Sequence, residues 1–125
     1  MKSIISWFEI PVINYERAKK FYAALLDIEI LDYHMPEQNI KYGMLPYDKE
    51  NNGIGGGLVE MDGQKPTTDG PTIYLNGGED LSIFLARVEP AGGKIIMPKT
   101  NIGENGFMAQ FVDTEGNRMA LHSPN

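Results

Sequence analysis

The chain contains no cysteine, so no disulfide staples it, no thiol acts as a nucleophile and no thiolate can hold zinc. Positive charge is also in short supply. Eleven Lys and Arg stand against 17 Asp and Glu, a net charge of −6. That sign argues against nucleic acid or an anionic membrane as a partner. Long hydrophobic runs are missing as well. The apolar start of the chain is interrupted by Ser6 and closed by Glu9, which makes neither a signal peptide nor a transmembrane span. Together these absences predict a cytoplasmic protein. Glycine and proline, by contrast, are plentiful at 14 and 8 copies, which implies many turns and suits short strands. The 125 residues make one domain, or two small halves sharing a core. A domain of this size buries roughly two-thirds of its unfolded-chain surface and needs no staple.

Alternation over Ile4 to Val12 predicts a first strand, with Ile5, Trp7 and Glu9 on one face. Asn14 is a cap for the helix that follows, and Glu16 suits its first turn. Ala18, Phe21, Tyr22, Leu25 and Leu26 recur at helical spacing, the mark of an amphipathic helix on a sheet. Strands are predicted over Ile28 to Met35, Ile40 to Leu45 and Ile54 to Met61, the last thinned by Gly55-Gly56-Gly57. The polar stretch from Asp62 to Pro71 reads as a linker.

The order then repeats. Thr72 to Asn76 is a strand, and Asp80 caps a helix carrying Leu81, Phe84, Leu85 and Val88. Pro90 and Gly92-Gly93 stop that helix. Lys94 to Met97 and Phe107 to Val112 are strands separated by a polar loop from Pro98 to Gly106. Asp113 to Asn117 forms a tight polar turn, and the final strand puts Arg118, Ala120 and His122 on one face. The pattern is βαβββ twice, which fits an internal duplication: residues 1–61, a linker at 62–71, and residues 72–125.

Four stretches now carry a resemblance. They are Phe8-Glu9-Ile10-Pro11-Val12 followed by Ala18-Lys19-Lys20-Phe21-Tyr22, then Val88-Glu89-Pro90-Ala91-Gly92-Gly93-Lys94, then Asp113-Thr114-Glu115-Gly116-Asn117-Arg118. In this order, on a duplicated pattern, the chain resembles the vicinal oxygen chelate superfamily, which includes glyoxalase I, bleomycin-resistance proteins and extradiol dioxygenases. The resemblance implies an α+β fold. Paired βαβββ modules would form an open, cupped, eight-stranded barrel-like sheet with helices outside, often in a homodimer. It also implies four metal-ligand positions, one on the first and last strand of each module, which fall here on Trp7, Gly57, Thr72 and Ala120. None of the four is an imidazole or a carboxylate, so the expected metal set is none and no cofactor is expected.

Alternation from those positions adds Glu9, Val59, Tyr74 and His122 to the same faces. The ligand-binding set expected in the cup is Trp7, Glu9, Gly57, Thr72, Tyr74, Arg118, Ala120 and His122. His122 is a candidate general base, with Glu9 orienting it or Tyr74 donating a proton; the alternative is that His122 closes the cavity floor or bonds a backbone carbonyl. An inward Glu9 needs a partner, for which Arg118 or His122 would serve. Trp7 is either a stacking platform or a plain core aromatic. A relocated metal site on Glu9 and His122 has no clear third ligand, and His34 reads as a surface residue. The Gly55–Gly57 run is not a phosphate loop, because no Lys-Ser/Thr follows and no helix begins there. Ser6 and Ser123 have no evident triad.

The function expected is small-molecule binding in the cup, without the family's usual metal ligands. The alternative is a lactoylglutathione-lyase-related lyase or isomerase, using an atypical metal or Glu9/His122 acid–base chemistry.

Overall fold

A computed structural model of the chain describes residues 3–125; Met1 and Lys2, the start of the first predicted module, lie outside the described residues. The first half runs β1 (Trp7–Pro11), α1 (Tyr15–Leu26), β2 (Leu31–Asp32), β3 (Lys41–Leu45) and β4 (Gly55–Glu60). The second runs β5 (Tyr74–Asn76), α2 (Ser82–Val88), β6 (Lys94–Asn101), β7 (Phe107–Val112) and β8 (Arg118–Ser123). Each half is a four-stranded mixed sheet, ordered β1-β4-β3-β2 and β5-β8-β7-β6. In each, the first strand lies parallel to the last and the other pairings are antiparallel. The fold is therefore α+β, built of paired βαβββ modules whose sheets stay open rather than closing into a barrel.

One face of each sheet carries the helices. Ile10, Leu58 and Leu45 from the first sheet pack with Ala18, Phe21, Tyr22 and Leu25 of α1. Leu75, Met119, Leu121, Ala109 and Phe111 from the second pack with Val88 of α2, and both sets belong to one continuous core. Helices α1 and α2 also meet each other. Alternation then sends Trp7 and Glu9, and likewise Tyr74, Arg118, Ala120 and His122, to the opposite, helix-free faces.

Helix α1 begins as its sequence dictates. Asn14 has extended dihedrals (φ −127°, ψ 102°) and its side chain accepts the Arg17 amide at 3.1 Å. Asp27 stops it in the left-handed region at φ 54°. Asp80 supplies a capping acceptor for α2 by taking the Ser82 amide at 2.9 Å, although the N-cap position itself is Leu81. Helix α2 ends at Val88, ahead of Pro90.

Three expectations are corrected. Strand β2 has only two residues, both exposed, rather than running from Ile28 to Met35. Beyond it, His34 accepts the Tyr42 amide with its side chain, a role the ladder would otherwise fill. Strand β6 does not stop at Met97 but continues through Pro98 to Asn101. It is an edge strand with two register shifts, the setting in which a proline without a donor is tolerated. Strand β5 begins at Tyr74, which leaves Thr72 ahead of it.

The turn from Asp113 to Asn117 forms as expected, and it is buried. Asp113, Glu115 and Asn117 are each only 5% exposed. Buried polar groups need partners, and these find them on the other module. Glu115 accepts the Ile13 and Asn14 amides at 2.9 and 2.7 Å and the Arg17 guanidinium at 2.7 and 3.0 Å. Asn117 donates to the Pro11 carbonyl at 2.8 Å, and the Tyr22 hydroxyl donates to Asp113. This turn joins the two modules at the start of α1.

Candidate functional site

The helix-free face of the first sheet is organised by its glycines. Strand β1 pairs with β4 so that Trp7 faces Gly55 and Glu9 faces Gly57. A Cβ at Gly55 would collide with the rings of Tyr47 and Trp7, and one at Gly57 with the ring of Tyr42. On the helix side, a Cβ at Gly56 would meet Phe8. Four aromatic side chains therefore lie directly on the backbone of β4, three of them on the helix-free face, in space that only glycine leaves open. Trp7 and Tyr47 meet edge to face, with centroids 5.8 Å apart and planes at 87°.

These rings carry a directed hydrogen-bond relay. Trp7 Nε1 donates to Tyr42 Oη at 2.8 Å, and Tyr42 Oη donates to Glu9 Oε2 at 2.8 Å. Burial pushes the Tyr42 hydroxyl up from its ordinary pKa; the Trp7 hydrogen bond opposes this, while the Glu9 carboxylate reinforces it. Tyr42 therefore keeps its proton and donates it toward Glu9. The partner expected for Glu9 was Arg118 or His122; the partner observed is Tyr42, which the sequence reading did not include. The available signal was the alternation within β3, which puts Tyr42 and Met44 on the same face.

The second sheet's helix-free face is arranged differently. Tyr74 lies opposite Ala120 and Asn76 opposite His122. Arg118 Nη2 donates to Thr72 Oγ1 at 2.7 Å and to the Gly70 carbonyl at 3.1 Å, while its buried Nε finds no partner among the described residues. His122 Nε2 lies 2.6 Å from the Asn105 carbonyl, in the short helical turn Gly103–Asn105. Ala120 is fully buried, and Tyr74 is half exposed with its hydroxyl near Met108 Sδ. Trp7, Glu9 and Gly57 are thus brought together on one sheet, and Thr72 with Arg118 beside the other. No hydrogen bond among the described residues joins the two groups.

The four positions that the resemblance assigns to metal do not suit one. The Trp7 nitrogen is a committed donor, Gly57 lies under Tyr42, and Ala120 offers a methyl group. Thr72 Oγ1 is already beside a guanidinium. Elsewhere, Glu16, Asp32 and His34 present donor atoms within 4.8 Å of one another on the exposed side of α1 and β2. His34 Nδ1 accepts the Tyr42 amide at 3.0 Å, so the ring proton of the neutral imidazole sits on Nε2, the nitrogen that would have to ligate. Asp32 Oδ1 is already bonded by Tyr15 Oη and by Lys19 Nζ at 2.9 Å, and these bonds, Tyr15 first, hold its carboxyl below the usual range. Asp32 and His34 are thus tied into a network with Tyr15, Lys19 and the Tyr42 amide.

Among solved structures, a variant of glyoxalase I from Zea mays matches with a TM-score of 0.74 and 22% identity over 94% of this chain, which spans 45% of the maize protein. A glyoxalase/bleomycin resistance protein from Albidiferax ferrireducens T118 matches with a TM-score of 0.70 and 20% identity, covering 98% of this chain and 100% of the other. Trypanothione-dependent glyoxalase I from Leishmania major matches at 0.71 and 23% identity, covering 98% and 88%. At these identities the likeness shows the fold. No curated protein matches the chain in sequence. The model of the Glyoxalase/Bleomycin resistance protein/Dioxygenase superfamily matches residues 4–121, nearly the whole chain, and the protein belongs to that superfamily.

Proposed function

We propose that the protein binds a small molecule on the helix-free face of its first sheet, at Trp7, Tyr42, Tyr47 and Glu9. The observation that carries this reading is the relay from Trp7 through Tyr42 to Glu9. It fixes two rings and one carboxylate on a surface that packing alone would not require to be polar. Apolar walls with a few oriented polar groups are the usual make-up of a ligand site. The binding proposed needs no divalent metal, because none of Trp7, Gly57, Thr72 and Ala120 presents a free imidazole or carboxylate.

The rival reading is a lyase or isomerase working through Glu9 and His122. Its support is weaker: the two side chains stand on different sheets, Glu9 is bonded to Tyr42, and His122 is bonded to a backbone carbonyl. A homodimer belongs to the proposal as well. Strands β1 and β5 are sheet edges, and Tyr74, Ile96 and Ile102 are exposed apolar residues of the second module. A cytoplasmic location is also proposed and rests on the sequence alone; among the described residues, no helix is long and apolar enough to cross a membrane.

The test is a thermal-shift screen of small molecules against untagged protein, with metal analysis of the same preparation and light scattering at micromolar concentration. Ligands that stabilise the wild type and lose their effect in Trp7→Leu and Glu9→Gln support the site. Ligands whose effect survives both substitutions, or vanishes only on chelation, overturn it.

A further inference from the structure

Building on that binding reading, we infer that the ligand of the first sheet is an organic cation, a protonated amine or guanidinium carried on an apolar or aromatic body. The first argument is a donor count. An indole has one N–H and a phenol one O–H. Trp7 gives its only donor to Tyr42, and Tyr42 gives its only donor to Glu9. Beside Glu9 the face therefore offers acceptors and no free donor from these two rings. A ligand group that bonds to Glu9 has to bring the donor itself.

The second argument is charge. Glu115, Asp32 and Asp80 are paired with Arg17, Lys19 and Lys99. Glu9 is exposed, is oriented by Tyr42, and has no cationic partner among the described residues. The carboxylate is held in place while the position of its counter-ion is left open, and an anionic ligand would be repelled from it. The third argument is the aromatic corner. Trp7 and Tyr47 stand at 87° over Gly55, and Tyr42 lies over Gly57. Ring faces are the negative ends of aromatic quadrupoles and attract ammonium and guanidinium groups. The protein's net charge of −6 draws cations toward the face from a distance.

Trp7 is the chain's only tryptophan, so its fluorescence reports on this corner alone. The experiment titrates the full chain at pH 7 with three probes of matched shape: 2-phenylethylamine, 2-phenylethanol and phenylacetate. The expected result is saturable change with the amine, at least about tenfold tighter than with the alcohol, and loss of that advantage in Glu9→Gln. Circular dichroism checks that the variant is folded. As a measurement independent of the variant, added salt should weaken the amine and leave the alcohol unchanged. If the alcohol or phenylacetate binds as tightly as the amine, the cation inference is overturned while the binding reading survives. If none of the three perturbs Trp7 up to about 10 mM, the binding reading fails and takes this inference with it.

Discussion

Glu115 offers the sharpest test of how the two modules are held together. Its side chain is fully shielded, yet it accepts two backbone amides at the start of α1, the Arg17 guanidinium and the Thr114 hydroxyl. Burial alone would raise its pKa. Arg17 and the Asn14 amide, with Thr114 and Ile13, outweigh that effect and hold the carboxyl below its ordinary value. Glu115→Gln keeps the volume and removes the charge. One of its terminal atoms becomes a donor, which faces either the guanidinium or the two amides. Hydrogen bonds to a charged group contribute about 1.5–3 kcal/mol, and a buried donor left facing donors adds to the loss. Arg17 is half exposed and can turn to water, which limits the damage. The expected cost is about 2–3 kcal/mol, a melting temperature lower by roughly 10 °C in a chain of this size. Arg17→Ala should cost clearly less, because Glu115 keeps both backbone donors. The sign with pH follows from the lowered folded-state pKa. The stabilisation is present above the unfolded Glu value of about 4.3 and is lost as pH falls through the folded value. The gap between wild type and Glu115→Gln in urea unfolding should therefore be full at pH 7 and should close as pH drops from about 5 to 3. A Glu115→Gln variant as stable as wild type at pH 7, or a gap unchanged at pH 3, would refute this account of the module junction.

Gly57→Ala should disturb Tyr42, since the added methyl meets that ring; a loss of about 1–3 kcal/mol and an altered Trp7 emission spectrum are expected, and an unchanged spectrum would contradict the packing described. Tyr22→Phe should cost about 1–2 kcal/mol, because the fully buried hydroxyl donates to Asp113, which keeps the Glu115 and Asn117 amides; calorimetry at neutral pH decides. The Lys99 hydrogen bond, then the bonds from Ser82, lower the Asp80 pKa to about 2, so Lys99→Met should raise the carboxyl titration seen by NMR without a large change in stability.

How far the sequence reveals this architecture depends on the range of the signal. Helix α1 was legible because its determinants are local: Asn14 caps it, and Ala18, Phe21, Tyr22 and Leu25 repeat at helical spacing. Tyr15 continues that stripe three residues before Ala18 and is equally buried, so it was readable in principle. The paired modules were legible from the repeated order of elements. The polar turn at residues 113–117 was legible as a turn, but its partners were not, because composition reports residue type and not partner. Its acids and amide serve backbone groups about a hundred positions away, at Ile13, Asn14 and Pro11. Tyr42 was missed for a similar reason. Alternation gives its face, but only the register of β3 on β4 and β4 on β1 brings its hydroxyl between Trp7 and Glu9.

The paired modules differ in how their helix-free faces are filled. Register makes Glu9 opposite Gly57 the counterpart of Tyr74 opposite Ala120. Each last strand carries a small residue there. In the first module that residue is glycine, and the missing Cβ lets Tyr42 lie flat on the strand and reach Glu9. In the second it is Ala120, and no ring is seated on it by hydrogen bonds. The chemistry diverges accordingly. Arg118 donates to Gly70 and Thr72, and His122 is engaged by Asn105, so the cationic candidates are tied back into their own module. Glu9 is held by a relay but not neutralised. The helix-free faces of the two modules therefore differ in what holds their polar groups: a tyrosine hydroxyl for Glu9, loop oxygens for Arg118 and His122. In the first module a carboxylate without a cationic partner among the described residues stands among aromatic rings, which is where the binding proposal and its test belong.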